Sequence, residues 1–453
     1  MHKPYKMPIV RASPDIKVNE PRISKLVILI CRLLGRLYLF LFYGIARIVV
    51  NGGEKDLFNA FKRALTGESR CIIAFRHPNG GEPQLLSWFF LFKLRVLAAR
   101  AGVKLPRWPH VVFVYGYEVV RWGGWVARFI MPNVGAMPIH HSKMDSKGMA
   151  RIQKTIIEGP YPVAIAPEGQ VSYTTNAIPR LEPGAIRIGF QVAERLAGKN
   201  ETCSVEILPL SVHFRFGTWG TLALEKLLKK IEKICGFSNK DRKKILFTER
   251  VRQCRDHILE VNEWRYQIKG DIEKPFEERL EMIINAALET AERMMGVKRD
   301  GDLFSRMYWM RQLCWDQIFL PGVENFEGIS YIEQNTRHLK AGEAWYIGRH
   351  IEIVDFCWYF RVPLPTEETN LSGKVEYAQN LWDFANRTMG GAFSDRKNIL
   401  PRRVIIRAAP VINLSERFPA YQKDKKAAIA EAMSDLEKAY LDCIANANKA
   451  EQG

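Results

Sequence analysis

The chain is expected to adopt an α/β fold, with a mostly parallel central sheet flanked by helices. Three observations predict it. Short apolar, β-branched runs alternate with helix-patterned segments over roughly the first 220 of the 453 residues. Two of those runs stop at polar, glycine-containing turns, Arg76–Glu82 and Pro167–Gln170. Such turns mark the C-terminal strand edge at which open α/β sheets bind ligands. Hydrophobic residues make up 47% of the chain, ample for a core at a length that suits two or three domains, or one domain with a large insertion.

The elements follow in order. Residues 1–21 are polar and carry Pro4, Pro8, Pro14 and Pro21, and are expected to form a loose arm. Residues 22–50 contain LVILICRLLGRLYLFLFYGIARIVV and are expected to form a membrane-interface helix. On a helical projection Lys25, Arg32, Arg36 and Arg47 fall in one narrow arc, and the remaining circumference is apolar. A basic stripe on an apolar cylinder suits a helix lying among lipid phosphates. It suits a spanning helix less well, because a central arginine costs about 2.5–3.5 kcal/mol on insertion scales. Gly35 and Gly44 are candidate breaks, and packing on the protein itself is the alternative. The arginines interrupt the apolar run and no small-residue cleavage site follows, which argues against a signal peptide.

A short helix over 54–65 precedes the strand Cys71–Phe75. Glu82–Pro83 opens an apolar helix, with Trp88–Phe92 expected mainly in the core. Further strands are expected at 111–115, 134–141, 162–166 and 205–212, with helices at 122–130, 147–158 and 185–196 between them. After Gly220 the pattern changes to charged helices at 222–235, 241–269 and 275–295. Residues 300–400 are rich in tryptophan and give mixed signals. A strand at 403–407 and a helix at 424–447 close the chain.

His77 and Glu82 flank the first turn. A loop of four residues can fold the carboxylate back onto one ring nitrogen, fixing the tautomer and leaving the other nitrogen as a base. No serine is needed if the nucleophile is the substrate's own hydroxyl. Loop N–H groups at Gly80 and Gly81 are candidates for binding an oxyanion; the alternative is that these glycines only make the turn. The chain has no P-loop, GxGxxG, HExxH or GxSxG. Neither a nucleotide cofactor fold, a zinc hydrolase nor an elbow-serine hydrolase is therefore expected. The net charge of +18 favours an anionic partner such as phospholipid headgroups, and no zinc spacing or RNP-like motif singles out nucleic acid. Eight scattered cysteines without a CxxC read as reduced, buried thiols in a cytosol-facing protein, not a disulfide framework.

Taken together, these residues resemble the glycerolipid acyltransferase superfamily, which includes the lysophosphatidate acyltransferases. Its first motif, a His and an acid with four residues between them, matches His77 and Glu82. Its second matches Gly135 to Ile139, with His141 where arginine is usual, and its third matches Pro167, Glu168, Gly169 and Ser172. Its fourth, an apolar strand with a proline, matches Ile207 to Leu210. Pro183 to Ile188, including Arg187, resembles the glycine-led helix between the third and fourth motifs. The similarity covers about residues 25–220 and resumes at 403–415. That division makes 51–220 an acyltransferase core, 221–400 a mainly helical insertion, and 401–453 the closing strand and helix of the core.

The resemblance implies transfer of a fatty acyl group from a thioester, on coenzyme A or acyl carrier protein, to a hydroxyl of a lysolipid or glycerol-phosphate-type acceptor. His77 would be the general base and Glu82 its orienting acid. Gly135, His141, Pro167, Glu168, Gly169, Ser172 and Arg187 would bind substrate, and Arg76, Lys143 and Arg180 are further candidates for a phosphate. The thioester is a co-substrate; no metal or resident cofactor is implied. The expected setting is the cytoplasmic face of a membrane, bound as a peripheral or monotopic protein. The chain departs from the pattern in three ways. Glu82 replaces aspartate, Arg76 stands where asparagine is common, and the arginines of motifs two and three are His141 and Val171. Acyl transfer thus follows more closely than lysophosphatidate as acceptor. The rival class is a catalytically silent lipid-binding or membrane-tethering protein on the same fold.

Overall fold

In the computed structural model, Ser69–Phe75 is a fully internal strand of an eight-stranded sheet. Ile72, Ile73 and Ala74 have no exposed surface, as a strand covered on both faces requires. The structure describes residues 8–140, 145–199, 202–237, 242, 244–269, 273–392 and 395–452. The chain divides into two compact units, one formed by Val18–Gly217 with Leu400–Gly453, the other by Met1–Lys17 with Thr218–Ile399.

The first unit is mixed α/β. Its strand order is Ile45–Val50, Arg402–Ala408, Ser204–Phe216, Ser69–Phe75, Val163–Ile165, Val112–Gly116, Met137–Ile139, with Ile412–Asn413 also paired to Ser204–Phe216. Among the described residues these named strands pair in parallel, except where Arg402–Ala408 and Ile412–Asn413 pair antiparallel with Ser204–Phe216. The late strand Arg402–Ala408 is therefore not an edge. It is hydrogen-bonded on both sides, between the first strand of the unit, Ile45–Val50, and the long strand Ser204–Phe216. Two apolar layers cover the sheet. One contains Leu57, Phe61, Leu86, Phe90 and Phe214, and the other Ile156, Phe190, Leu436 and Tyr440.

The apolar N-terminal stretch is not one helix. The helix Lys25–Tyr43 begins at Ser24, whose hydroxyl accepts from the Val27 N–H, and ends at Gly44. Gly44 has φ +59°, a conformation that costs glycine little, and its N–H closes onto Phe40 and Leu39. Ile45–Val50 then leaves as a strand, because its β-branched residues pair with Arg402–Ala408. Gly35 does not break the helix. A Cβ there would lie 2.6 Å from Trp88 Cδ1, so glycine lets the helix pack closely on that ring.

The other expected elements shift at their ends. The third strand is only Met137–Ile139, and the terminal helical region is Phe418–Lys423 followed by Lys425–Gln452. The helix opened by Glu82 runs through Glu82–Trp88, a wider π-helical turn Phe89–Leu94, and Arg95–Arg100.

The second unit is almost entirely helical: Trp219–Ile234, Phe247–Arg265, Phe276–Met295, Leu303–Ile318, Tyr331–Tyr359 and Leu371–Thr388. The last three account for the segment whose sequence gave mixed signals. Residues 8–17 belong to this unit and are not a loose arm. Ser13–Pro14 pairs in parallel with Phe319–Leu320, the Asp15 N–H donates to Val323 O at 2.8 Å, and the Ala12 N–H donates to His338 Nδ1 at 3.1 Å.

Candidate active site

The strand Ser69–Phe75 pairs with Val163–Ile165, Ala74 facing Ile165. The loops that follow, residues 76–82 and 166–172, therefore leave adjacent parallel strands at the same C-terminal edge. His77 Nδ1 lies 2.7 Å from Glu82 Oε2, with the ring 16% exposed and the carboxylate fully buried. The loop turns at Gly80, φ +91°, and the Gly80 N–H donates to the same carboxylate oxygen at 2.8 Å. That donor is thus spent on orienting Glu82, which favours the turn-only alternative for Gly80 over an oxyanion role. A buried carboxylate accepting one N–H and one imidazole N–H fixes the tautomer that leaves Nε2 unprotonated.

The second loop is tied to the first. Glu168 is buried; its Oε2 accepts the His77 backbone N–H at 2.8 Å and its Oε1 pairs with Arg76 Nε at 2.8 Å. The Ser172 N–H donates to His77 O at 3.0 Å, and Ser172 Oγ donates to Thr174 O at 3.4 Å. Pro167 is buried and its carbonyl accepts from the Glu182 N–H, while Gly169 turns the chain at φ +72°. Arg76 has no exposed surface. Its remaining N–H groups donate to the carbonyls of Thr174, Thr175 and Ala177 at 2.6–2.9 Å. A guanidinium so engaged is a structural clamp, so Arg76 is withdrawn as a phosphate ligand. Glu168 and Ser172 set the His77 loop from behind.

The other expected site residues are dispersed. Gly135, φ +78°, forms the turn entering Met137–Ile139, where a Cβ would sit 3.1 Å from Ile23 Cγ1. This is the N-terminal end of a parallel strand, away from the edge that carries His77. Arg187 is exposed on the helix Gly184–Ala197, and Arg180 pairs with Glu182 at 3.2 Å. His141 and Lys143 lie outside the described residues.

Two site features are new. Arg402, 2% exposed, donates through Nη1 to Asn79 Oδ1 and through Nε to Tyr43 O, both at 2.8 Å. A Cβ on Gly81 would lie 2.7 Å from the Tyr43 ring, so the end of the N-terminal helix rests on the loop backbone. Burial, then Tyr38, then Glu82 push the Tyr43 phenol above its ordinary value. Both contacts join residues hundreds of positions apart or in different elements, and no local pattern announces them.

Of the four basic residues expected on one helical arc, Arg47 lies exposed on the strand Ile45–Val50 and Lys25 is exposed, while Arg32 and Arg36 face the protein. Arg36 donates to the carbonyls of Ile45 and Ala46 at 2.6 and 2.8 Å, and Arg32 lies over the Trp108 ring at 3.6 Å. Leu26, Leu33, Leu34, Leu37, Leu41 and Phe42 are exposed on the outer side. Lys25–Tyr43 is long and apolar enough to cross a membrane by length and composition. On the neighbouring helix Gly124–Asn133, Trp125, Val126 and Phe129 are also exposed. Arg22, just before the N-terminal helix, bonds through its N–H to Pro132 O and through Nε to Asn133 Oδ1 at the end of that neighbour, both at 2.8 Å.

A cavity of about 620 Å³ lies elsewhere in this unit, between residues 407–413 and the helix Lys425–Gln452, and neither His77 nor Glu82 lines it. Among the described residues, no group of three or more His, Cys, Asp or Glu side chains is placed to hold a metal ion. Compared with known proteins, the chain matches no family model and no curated protein.

Proposed function

We propose that this protein is a membrane-associated acyltransferase, moving a fatty acyl group from a thioester to a hydroxyl of a lysolipid or glycerol-phosphate-type acceptor. The observation that carries the reading is the 2.7 Å contact between His77 Nδ1 and the buried Glu82 carboxylate, at the C-terminal edge of a mostly parallel sheet. His77 Nε2 takes the proton of the acceptor hydroxyl as its oxygen attacks the thioester carbonyl carbon. The tetrahedral intermediate then expels the thiolate, which recovers the proton from the imidazolium. Glu82 balances the charge on the ring during both transfers. With the Gly80 N–H turned to Glu82, the Gly81 N–H is the candidate of the pair for the oxyanion. Coenzyme A and acyl carrier protein are both admissible donors.

The exposed leucines of Lys25–Tyr43 and the exposed Trp125 and Phe129 support docking on a phospholipid surface, where a lysolipid acceptor resides. Arg32 and Arg36 serve the fold, so the exposed leucines rather than these two cations supply the docking surface. The test is acyl-thioester-dependent acylation of lysolipid by the purified chain, read as thiol release. A second reading, a lipid-binding protein without chemistry, is favoured by the same apolar face. It predicts vesicle binding with no thiol released.

A further inference from the structure

We infer that Arg402 is a positioning residue for the His77–Glu82 loop, and that it hangs that loop and the end of the Lys25–Tyr43 helix on a single buried guanidinium. The inference deepens the acyl-transfer reading and rests on it for its kinetic arm. A guanidinium with 2% of its surface exposed is retained only where its N–H groups have acceptors. Arg402 has one acceptor in the loop, Asn79 Oδ1, and one at the helix end, Tyr43 O, each at 2.8 Å. Its carbon lies 4.7 Å from the centre of the Phe214 ring, which fixes the plane of the fork from beneath.

Asn79 lies between His77 and the Gly80 whose N–H orients Glu82. Freeing Asn79 therefore loosens the turn that delivers the carboxylate to the ring. The Tyr43 ring against Gly81 is a second link to the same helix end. Arg402 arrives from the strand Arg402–Ala408, so the chain after the helical unit completes a loop built more than three hundred residues earlier. Lysine is a poor substitute, because it lacks the fork that reaches two acceptors in different directions.

The test uses the full chain. Wild type, Arg402→Met, Arg402→Lys and Asn79→Ala are compared by amide hydrogen exchange on peptides covering 77–82 and 204–216. The same proteins are assayed for thiol release from a long-chain acyl-coenzyme A with a lysolipid acceptor. The expected result is exchange at 79–82 faster by about tenfold or more in Arg402→Met and in Asn79→Ala, with 204–216 unchanged. Arg402→Lys recovers part of the protection. Turnover in the Met and Ala variants falls by about tenfold to a hundredfold in kcat with an unchanged KM for the thioester. Unchanged exchange at 79–82 in both variants overturns the inference. So does faster exchange spread equally over 204–216 in Arg402→Met, which would make Arg402 a general support of the fold. A wild type that releases no thiol removes the acyl-transfer reading alone, and the exchange comparison still decides the positioning role.

Discussion

At the scale of single residues, the candidate site consists of one local contact and several distant ones. His77 and Glu82 are five positions apart, so a strand, a glycine turn and a helix start suffice to bring them together. That is why the pair was legible in the sequence. Replacing His77 with alanine is expected to lower thiol release by about 10²–10⁴, the usual worth of a general base, in a chain that still folds. Full activity in that variant would rule the base out. Arg76 behaves differently: it is adjacent to His77 yet points into the protein, where Glu168 and three carbonyls hold it. Arg76→Met strands the buried Glu168 charge and is expected to destabilise the unit by about 3–5 kcal/mol, measured by urea unfolding. A loss under about 1 kcal/mol would show that the clamp is dispensable. In the sequence, Arg76 looks like any cation beside a catalytic turn, and only its surroundings distinguish a clamp from a ligand.

At the scale of elements, the N-terminal helix shows what periodicity does and does not convey. The spacing puts Lys25, Arg32, Arg36 and Arg47 on one narrow arc, but the helix ends before Arg47, which lies on the strand Ile45–Val50. The direction in which the arc points was not legible in that spacing. Arg32 faces Trp108 and Arg36 the carbonyls of Ile45 and Ala46, leaving Lys25 and several leucines outside. The double change Leu33→Glu and Leu37→Glu is therefore expected to weaken binding to phospholipid vesicles by more than about tenfold, since each leucine gives up about 1.5–3 kcal/mol of apolar burial. Co-sedimentation with vesicles of mixed neutral and anionic lipid measures it, and undiminished binding would refute an apolar docking face. Arg36→Ala, by contrast, is expected to show mainly as lost stability, because it uncaps two strand carbonyls.

For the whole molecule, buried histidines tie stability to pH in both units. Burial holds His110 at about 4, the Val134 carbonyl opposing it, and holds His213 well below its ordinary value with Arg215, Arg76 and Arg407 adding to the effect. In the helical unit, burial and then Arg265 hold His350 at about 4. Each of these rings stays neutral in the folded chain and gains a proton when unfolded. Their contribution is fully present above the unfolded value near 6.5 and is lost as pH falls below it. Between pH 7 and pH 5 the loss is about 2 kcal/mol for His110 and for His350. Urea unfolding of wild type and His110→Gln at the two pH values checks this. The variant should lose less stability on acidification, and an equal loss would remove His110 from the account.

The sequence by itself determined the alternation of strands and helices over the first unit, the helical character that follows, and the nearness of His77 to Glu82. Each depends on interactions within a few residues: period, turn chemistry and the steric limits of proline and glycine. Only the tertiary structure decided that residues 8–17 belong with the helical unit and that Arg402–Ala408 enters the middle of the sheet. The same holds for the inward-facing arginines and for the pairing of Glu168 with Arg76 and of Arg402 with Asn79. Those outcomes depend on which surfaces meet after distant segments are brought together. Buried charges then settle on whatever acceptors the packed chain leaves within reach.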